Sequence, residues 1–201
     1  MKIIGLTGGI ACGKSTVSKA LRALGAYIVD ADAAAHALSQ PKQPLFNAYV
    51  ERFGADIVGP GGTLDRAAIA RLIFADPALR AEVDAIAHPL ICAEAERRLG
   101  AARAAGAKAA VLDVPLLFEA GWDAIPDETW VVMLPEEEQL ARLSARNPLM
   151  SEREARARIA AQMPLTEKCA RADVIIDNSG TKEETQQRVK ELWRERIIER
   201  A

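Results

Sequence analysis

A chain of 201 residues, half of them hydrophobic, is long enough to bury one sizeable core. Its 26 basic and 28 acidic residues leave a formal charge of −2, which excludes a global basic field for nucleic acid or anionic membrane and directs attention to local arginine clusters. The three scattered cysteines, Cys12, Cys92 and Cys169, exclude a disulfide framework and lack the CxxC spacing of structural zinc. No charged-then-apolar leader precedes the first strand, and no apolar run approaches the ~20 residues that span a bilayer, so a reducing cytoplasm is the expected location.

Lys2 to Thr7 reads as a buried first strand. Gly8-Gly9-Ile10-Ala11-Cys12-Gly13-Lys14-Ser15 follows and matches G-x-x-x-x-G-K-[ST], the phosphate-binding P-loop pattern. The pattern needs these residue types. Glycines let backbone N–H groups turn inward toward phosphate oxygens, the next helix adds its positive N-terminal end, and Lys14 brings a mobile charge to the β/γ phosphates. Gly9, Ile10, Ala11, Cys12, Gly13, Lys14, Ser15 and Thr16 are therefore the expected nucleotide contacts, with the Ser15 hydroxyl offered to Mg²⁺. A helix from about Lys14 to Leu24 carries Val17, Leu21 and Leu24 at helical spacing.

A short strand, Ala26 to Val29, delivers Asp30 and Asp32 at its carboxyl end, where open α/β sheets bind ligands. If this segment is extended, the two side chains point the same way, and Asp32 is a candidate base or metal-organising group. The competing reading is that one or both cap the helix expected at Ala33 to Ser39. His36, on that helix, reads as a surface or partly packed residue.

From residue 31 to 105 the pattern predicts a largely helical insertion. One helix contains Leu45, Tyr49 and Phe53, another starts at the probable N-cap Asp65, and a third begins at Asp76-Pro77 and is expected to break at His88-Pro89. Arg66 and His88 are its candidate polar residues, each with a solvated or structural alternative. Ala109 to Val114 is the most apolar strand, and Asp113 near its end is a candidate for holding the outer ligands of a metal opposite Ser15, or else a strand-end cap. Glu119 is expected to be solvated.

A fourth strand, Thr129 to Leu134, precedes a helix carrying Arg142 and Arg146 one turn apart. Asn147-Pro148 ends it, and the capping box of Ser151 and Glu154 opens another helix, running to about Gln162, with Arg153, Arg156 and Arg158. Two short arginine-rich helices make a candidate phosphate-clamping lid; the alternative is a solvated face with Glu154 and Arg158 paired. A fifth strand, Asp173 to Asp177, ends in Asn178-Ser179-Gly180, and a polar helix follows from Thr181. The predicted fold is α/β: a single three-layer P-loop domain with a five-stranded parallel sheet, its core at about 1–30, 106–140 and 165–201, a helical acceptor-binding insertion at about 31–105 and a small lid at about 141–164.

Several segments converge on one family. GLTGGIACGKSTV, VDAD, the LDR of Leu64 to Arg66, HPLI from His88, DVPLLFE from Asp113, RLSARN from Arg142, RARIAAQMP from Arg156 and ADVIIDNSG from Ala172 run in family order, and the chain resembles the dephospho-CoA kinases. The resemblance implies transfer of the ATP γ-phosphoryl group to the ribose 3′-hydroxyl of dephospho-CoA with Mg²⁺. It implies that Asp32 accepts the hydroxyl proton, that Lys14 and Arg142 act on the phosphates, and that Asn178 lies near adenine. Arg66 and His88, with Leu117 and Arg158, are implied to hold the CoA precursor. The implied partners are small molecules, with neither nucleic acid nor membrane.

One departure is that Ala11-Cys12 stands where the family commonly has Gly-Ser. This pair is tolerable provided Ala11 does not need positive φ, and Cys12, close to a helix N-terminus, is expected to have a lowered pKa and to be shielded from alkylation by ATP. A kinase for another small hydroxyl acceptor, of nucleoside-monophosphate or sugar-acid type, and a nucleotide-dependent switch remain alternatives.

Overall fold

The computed structural model describes residues 1–199, apart from the side chains of Ile73, Phe74, Ala75 and Pro77. Strands β1 (Lys2–Gly8), β2 (Tyr27–Asp30), β3 (Ala109–Asp113), β4 (Glu128–Met133) and β5 (Val174–Asp177) form one sheet in the order β2-β3-β1-β4-β5. β1 pairs in parallel with β3, from Lys2 opposite Ala109, and with β4, from Ile4 opposite Glu128; β4 pairs in parallel with β5. Such a sheet is covered on both faces, which explains why β1 and β3 are apolar runs rather than alternating ones and why every residue of β3 is buried. The chain goes from β1 to one edge, returns to β3, then crosses β1 to build the other half, so the carboxyl end of β1 lies where the loops diverge.

Helix α1 (Lys14–Ala23) packs against the C-terminal helix α9 (Lys182–Trp193), which continues as a π-helical turn over Arg194–Ile198. The core beside them joins Ile4, Leu6, Leu21, Trp130, Ile176 and Leu192. The connection from β3 to β4 contains no helix, unlike the simple alternation expected; it is pinned instead by burial of Leu117, Phe118 and Trp122. Helices α6 (Glu136–Arg146) and α7 (Glu152–Ala160) meet through Leu140, Leu143 and Ala155, with Ile10 and Ala11 of the P-loop against the same cluster. The capping box is present: Glu154 N–H donates to Ser151 Oγ (3.3 Å) and Ser151 N–H to Glu154 Oε2 (2.9 Å). A further short helix, α8 (Leu165–Ala170), follows Pro164 and was not anticipated by periodicity.

The chain divides into two compact units, one of residues 1–29 with the chain from Ala101 onward, the other of residues 30–100. The latter contains α2 (Ala31–Leu38), α3 (Pro44–Phe53), a 3₁₀ turn at Ala55–Ile57, α4 (Arg66–Ala75) and most of α5 (Pro77–Ala104), around Leu45, Tyr49, Ile57, Val83 and Ala87. Asp65 caps α4, accepting from Ala67 N–H (2.9 Å) and Ala68 N–H (3.0 Å). The break expected at His88-Pro89 does not occur: α5 is continuous with Pro89 inside it. Val83 and Ala87 before the proline, and Leu90 and Ile91 after it, pack on one apolar cluster, and that burial outweighs the roughly 3 kcal/mol that a helix-interior proline costs.

Candidate active site

β1 ends at Gly8 and α1 starts at Lys14, leaving a loop whose curvature depends on two left-handed residues, Gly13 (φ 83°) and Ala11 (φ 60°). Gly13 is required twice over, because a Cβ there would also collide with Asn178 Nδ2. Asn178, only 5% exposed, donates from Nδ2 to the Cys12 carbonyl (2.7 Å) and accepts at Oδ1 from the Thr185 hydroxyl (2.7 Å). Its own carbonyl accepts from Arg142 Nη2 (2.9 Å). Three segments thus brace the loop from outside, and the Asn178 side chain is occupied within the protein at both ends. The Ile10 N–H adds a tie to Gln162 Oε1 (2.8 Å).

Ala11 does adopt positive φ, so the condition placed on the Ala11-Cys12 substitution is not met, and the alanine carries a local strain of about 1–2 kcal/mol. Its packing against the α6–α7 cluster opposes that strain. The expectation for Cys12 is overturned. Its thiol points into the core, wholly buried, and burial pushes its pKa up from 9.0 to about 11, despite smaller lowering contributions from backbone hydrogen bonds involving Gly9 and Leu134. A raised pKa means the folded state keeps a proton that the unfolded state releases, so this contribution is intact below pH 9.0 and is lost as pH rises toward about 11. We expect native Cys12 to resist alkylation at pH 8 with or without nucleotide and to label after unfolding, read by mass spectrometry; rapid native labelling would contradict the burial.

At the end of β3 the Asp113 carboxylate, 5% exposed, forms an ion pair with Lys14. Ser15 stands exposed in the first turn of α1. The candidate lid arginines differ among themselves. Arg142 reaches Asn178 at the edge of the loop and lies 3.7 Å from Glu138. Arg156 is engaged by Glu152 (2.9 Å), Glu137 (3.5 Å) and Glu136 (3.7 Å). The Glu154–Arg158 pair does not form as a contact: Glu154 turns back to Ser151, whose hydrogen bonds hold it below the usual carboxylate range, with Arg158 a smaller influence. Arg158 is exposed.

Within residues 30–100, a pocket of about 380 Å³ is lined by Asp32, His36, Tyr49, Leu64, Arg66 and Ile69, among others. Asp30 and Asp32 do not point the same way. The backbone is already helical at Ala31; Asp30 caps α2 by accepting from Ala33 N–H (3.0 Å), and Asp32 sits in the first turn, since residues two apart on a helix do not share a face. Asp32 instead shares a face with His36, one turn later, which is exposed as expected and also lines this pocket. Arg66 Nη2 lies 2.7 Å from His36 Nδ1; because guanidinium only donates, Nδ1 is the acceptor. His88 lies outside this pocket, 4.0 Å from Asp84 on its own helix. Leu117 is a correction: it is fully buried, packed under Gly5, so its side chain is core rather than substrate surface. Glu119 lies at the surface as expected, and its carboxylate also pairs with the buried Lys168 (2.8 Å).

A model of the dephospho-CoA kinase family matches residues 2–184. The chain belongs to the dephospho-CoA kinase family. A dephospho-CoA kinase of Symbiobacterium thermophilum is 53% identical over 194 residues, covering 96% of this chain and 81% of the relative. One from Geobacter metallireducens is 47% identical over 197 residues and 98% of each chain. A crystal structure from Thermus thermophilus superposes with a TM-score of 0.78 at 36% identity, over 97% of both chains. As in other P-loop kinase folds, the dephospho-CoA kinase sheet presents the loops with the candidate site residues at the carboxyl ends of β1, β3 and β5. Among the described residues, no helix is long and apolar enough to cross a membrane.

Proposed function

We propose a division of labour among the residues above for the reaction of this family, ATP-dependent phosphorylation of the 3′-hydroxyl of 3′-dephospho-CoA to give coenzyme A and ADP. The observation that carries it is the braced loop from Gly9 to Thr16, with Lys14 held at Asp113, in a chain matched to the family over nearly its full length. On this reading, N–H groups of Gly9 to Thr16 and the N-terminus of α1 hold the triphosphate. Lys14 leaves Asp113 to meet the β/γ phosphates, and Arg142, already at the loop edge, adds positive charge as the γ-phosphoryl moves. Asn178 keeps the loop in register beside the adenine end. Arg66, oriented by His36, binds the acceptor, and Asp32 orients its hydroxyl and takes its proton. His88 and Arg158 are assigned outer contacts to the acceptor.

Mg²⁺ suits this donor set. Ser15 would offer its hydroxyl to the ion directly and Asp113 would hold the ion's outer ligands, and both groups present only oxygen, the donor that Mg²⁺ prefers. Held by Ser15 with Asp113 behind it, Mg²⁺ would supply positive charge to offset the charge that develops on the phosphates. Cytoplasmic location fits the three unpaired cysteines.

ATP and dephospho-CoA incubated with the protein should yield coenzyme A, identified by the mass gain of one phosphoryl group. A panel including nucleoside monophosphates and sugar acids should give turnover at least about a hundredfold lower. Preferential turnover of another acceptor would replace the substrate assignment.

A further inference from the structure

We propose that Lys168 is a positioning residue for phosphoryl transfer, tying the chain that leaves the lid to the loop after β3 and, through it, to the strand that feeds the P-loop. Lys168 lies on α8 with its side chain 0% exposed. Its ammonium donates to the Pro115 carbonyl (2.9 Å) and pairs with Glu119 Oε1 (2.8 Å). Each partner has a second task. The Pro115 carbonyl also accepts from the hydroxyl of Thr7, buried near the end of β1 (2.9 Å), and Glu119 Oε1 also accepts from the backbone N–H of Met163, where the chain leaves the lid (3.0 Å).

One buried cation therefore joins three segments that bear on the phosphates. Thr7 precedes Gly8 and Gly9, Pro115 lies two residues beyond Asp113, and Met163 adjoins Gln162, which accepts from Ile10 N–H in the P-loop. A parallel tie runs alongside: Arg171 pairs with Asp123 (2.7 Å) and stacks over the Phe118 ring (4.4 Å), holding the end of α8 to the same β3–β4 connection. A buried charge is an expensive way to join segments that an apolar side chain could also join, because it must remain paired and hydrogen-bonded. What it adds is direction. The ammonium fixes the Pro115 carbonyl and the Glu119 carboxylate at hydrogen-bond distances, which packing alone does not.

The inference rests on reading α6 and α7 as the lid of a kinase. Its consequence is that loss of the Lys168 charge displaces the lid exit and the Asp113 loop relative to the P-loop. Misplacement on the scale of 1 Å lowers the rate of a positioned reaction by about a hundredfold.

Lys168→Met keeps chain length and apolar volume while removing the ammonium. We expect kcat to fall about tenfold to a hundredfold, with KM for ATP within about twofold of wild type, and the ratio of phosphoryl transfer to acceptor-independent ATP hydrolysis to fall as water gains access. Lys168→Arg, which restores charge and donors, should recover part of kcat. Glu119→Gln, which keeps an acceptor for Met163 and Lys168 but not the charge, should show the same pattern more weakly, and it keeps the test intact if Lys168→Met does not fold. A merely structural lysine would lower the melting temperature of folded variants and leave kcat and the transfer-to-hydrolysis ratio at wild-type values, and that result overturns the proposal. Wild-type protein inactive on dephospho-CoA would overturn the kinase reading and this inference with it, whereas an active wild type with unaffected variants overturns this inference alone.

Discussion

Asp32→Asn should lower kcat by roughly 10²–10⁴-fold, the range lost when a positioned general base is removed, while leaving the fold intact. The substitution is nearly isosteric, and Asp32 is exposed in the first turn of α2, where its helix-end interaction contributes about 0.3–1 kcal/mol. The helix does not depend on it for its cap, because Asp30 does that work through Ala33. Acceptor KM should change little if Asp32 handles the proton, and should rise together with a modest fall in kcat if it only orients the hydroxyl. Turnover near the wild-type value with both substrates saturating would remove Asp32 from the chemistry. The neighbouring change Arg66→Ala serves as the internal contrast: it should act chiefly on acceptor KM, since it removes from the same pocket the cation proposed to bind the acceptor.

The second large effect lies at Lys14. Lys14→Met should lower kcat by about 10²–10³-fold, as removal of a preorganised electrostatic group at a transferring phosphoryl does. It should also destabilise the protein by about 3 kcal/mol, because the Asp113 carboxylate, only 5% exposed, is left buried without its partner. Stability and catalysis separate in the double variant Lys14→Met with Asp113→Asn, which removes the orphaned charge. Its denaturation midpoint should return most of the way to wild type, and its kcat should stay low. Recovery of activity in the double variant would mean that Lys14 matters only as a counter-charge for Asp113 and has no role at the phosphates.

Sequence reading reached the sheet because parallel strands covered on both faces must be apolar throughout, and it reached the P-loop because that chemistry demands particular residues at adjacent positions. The caps at Asp65 and Ser151 were legible for the same reason, since a cap acts within a few residues of itself. What escaped was set by distant neighbours. Helix propensity argues for a break at Pro89, and only the tertiary cluster shared by residues on both sides of it reverses that preference. The Cys12 thiol reads as reactive from its position beside a helix start and as inert once its side chain is seen in the core. The brace from Asn178 to Cys12 and the joint of Lys168 with Pro115 and Glu119 have no local pattern, because they depend on the order of strands and not on spacing along the chain. Asp32 with His36 is the intermediate case: the spacing was visible, but the helix carrying it had to begin at Ala31 rather than Ala33 for the first turn to include Asp32.

The strand order also governs when the nucleotide site can exist during synthesis. β1 is made well before both its neighbours: Lys2 pairs with Ala109, and Ile4 with Glu128. Until then the apolar run that leads into the P-loop has no hydrogen-bonding partner, and residues 30–100 must emerge before either can arrive. Pairing across such separations is slow and leaves strand edges open to association with other chains. A nascent chain stalled before β3 therefore displays an unpaired central strand, making that interval the one in which a chaperone has most to protect.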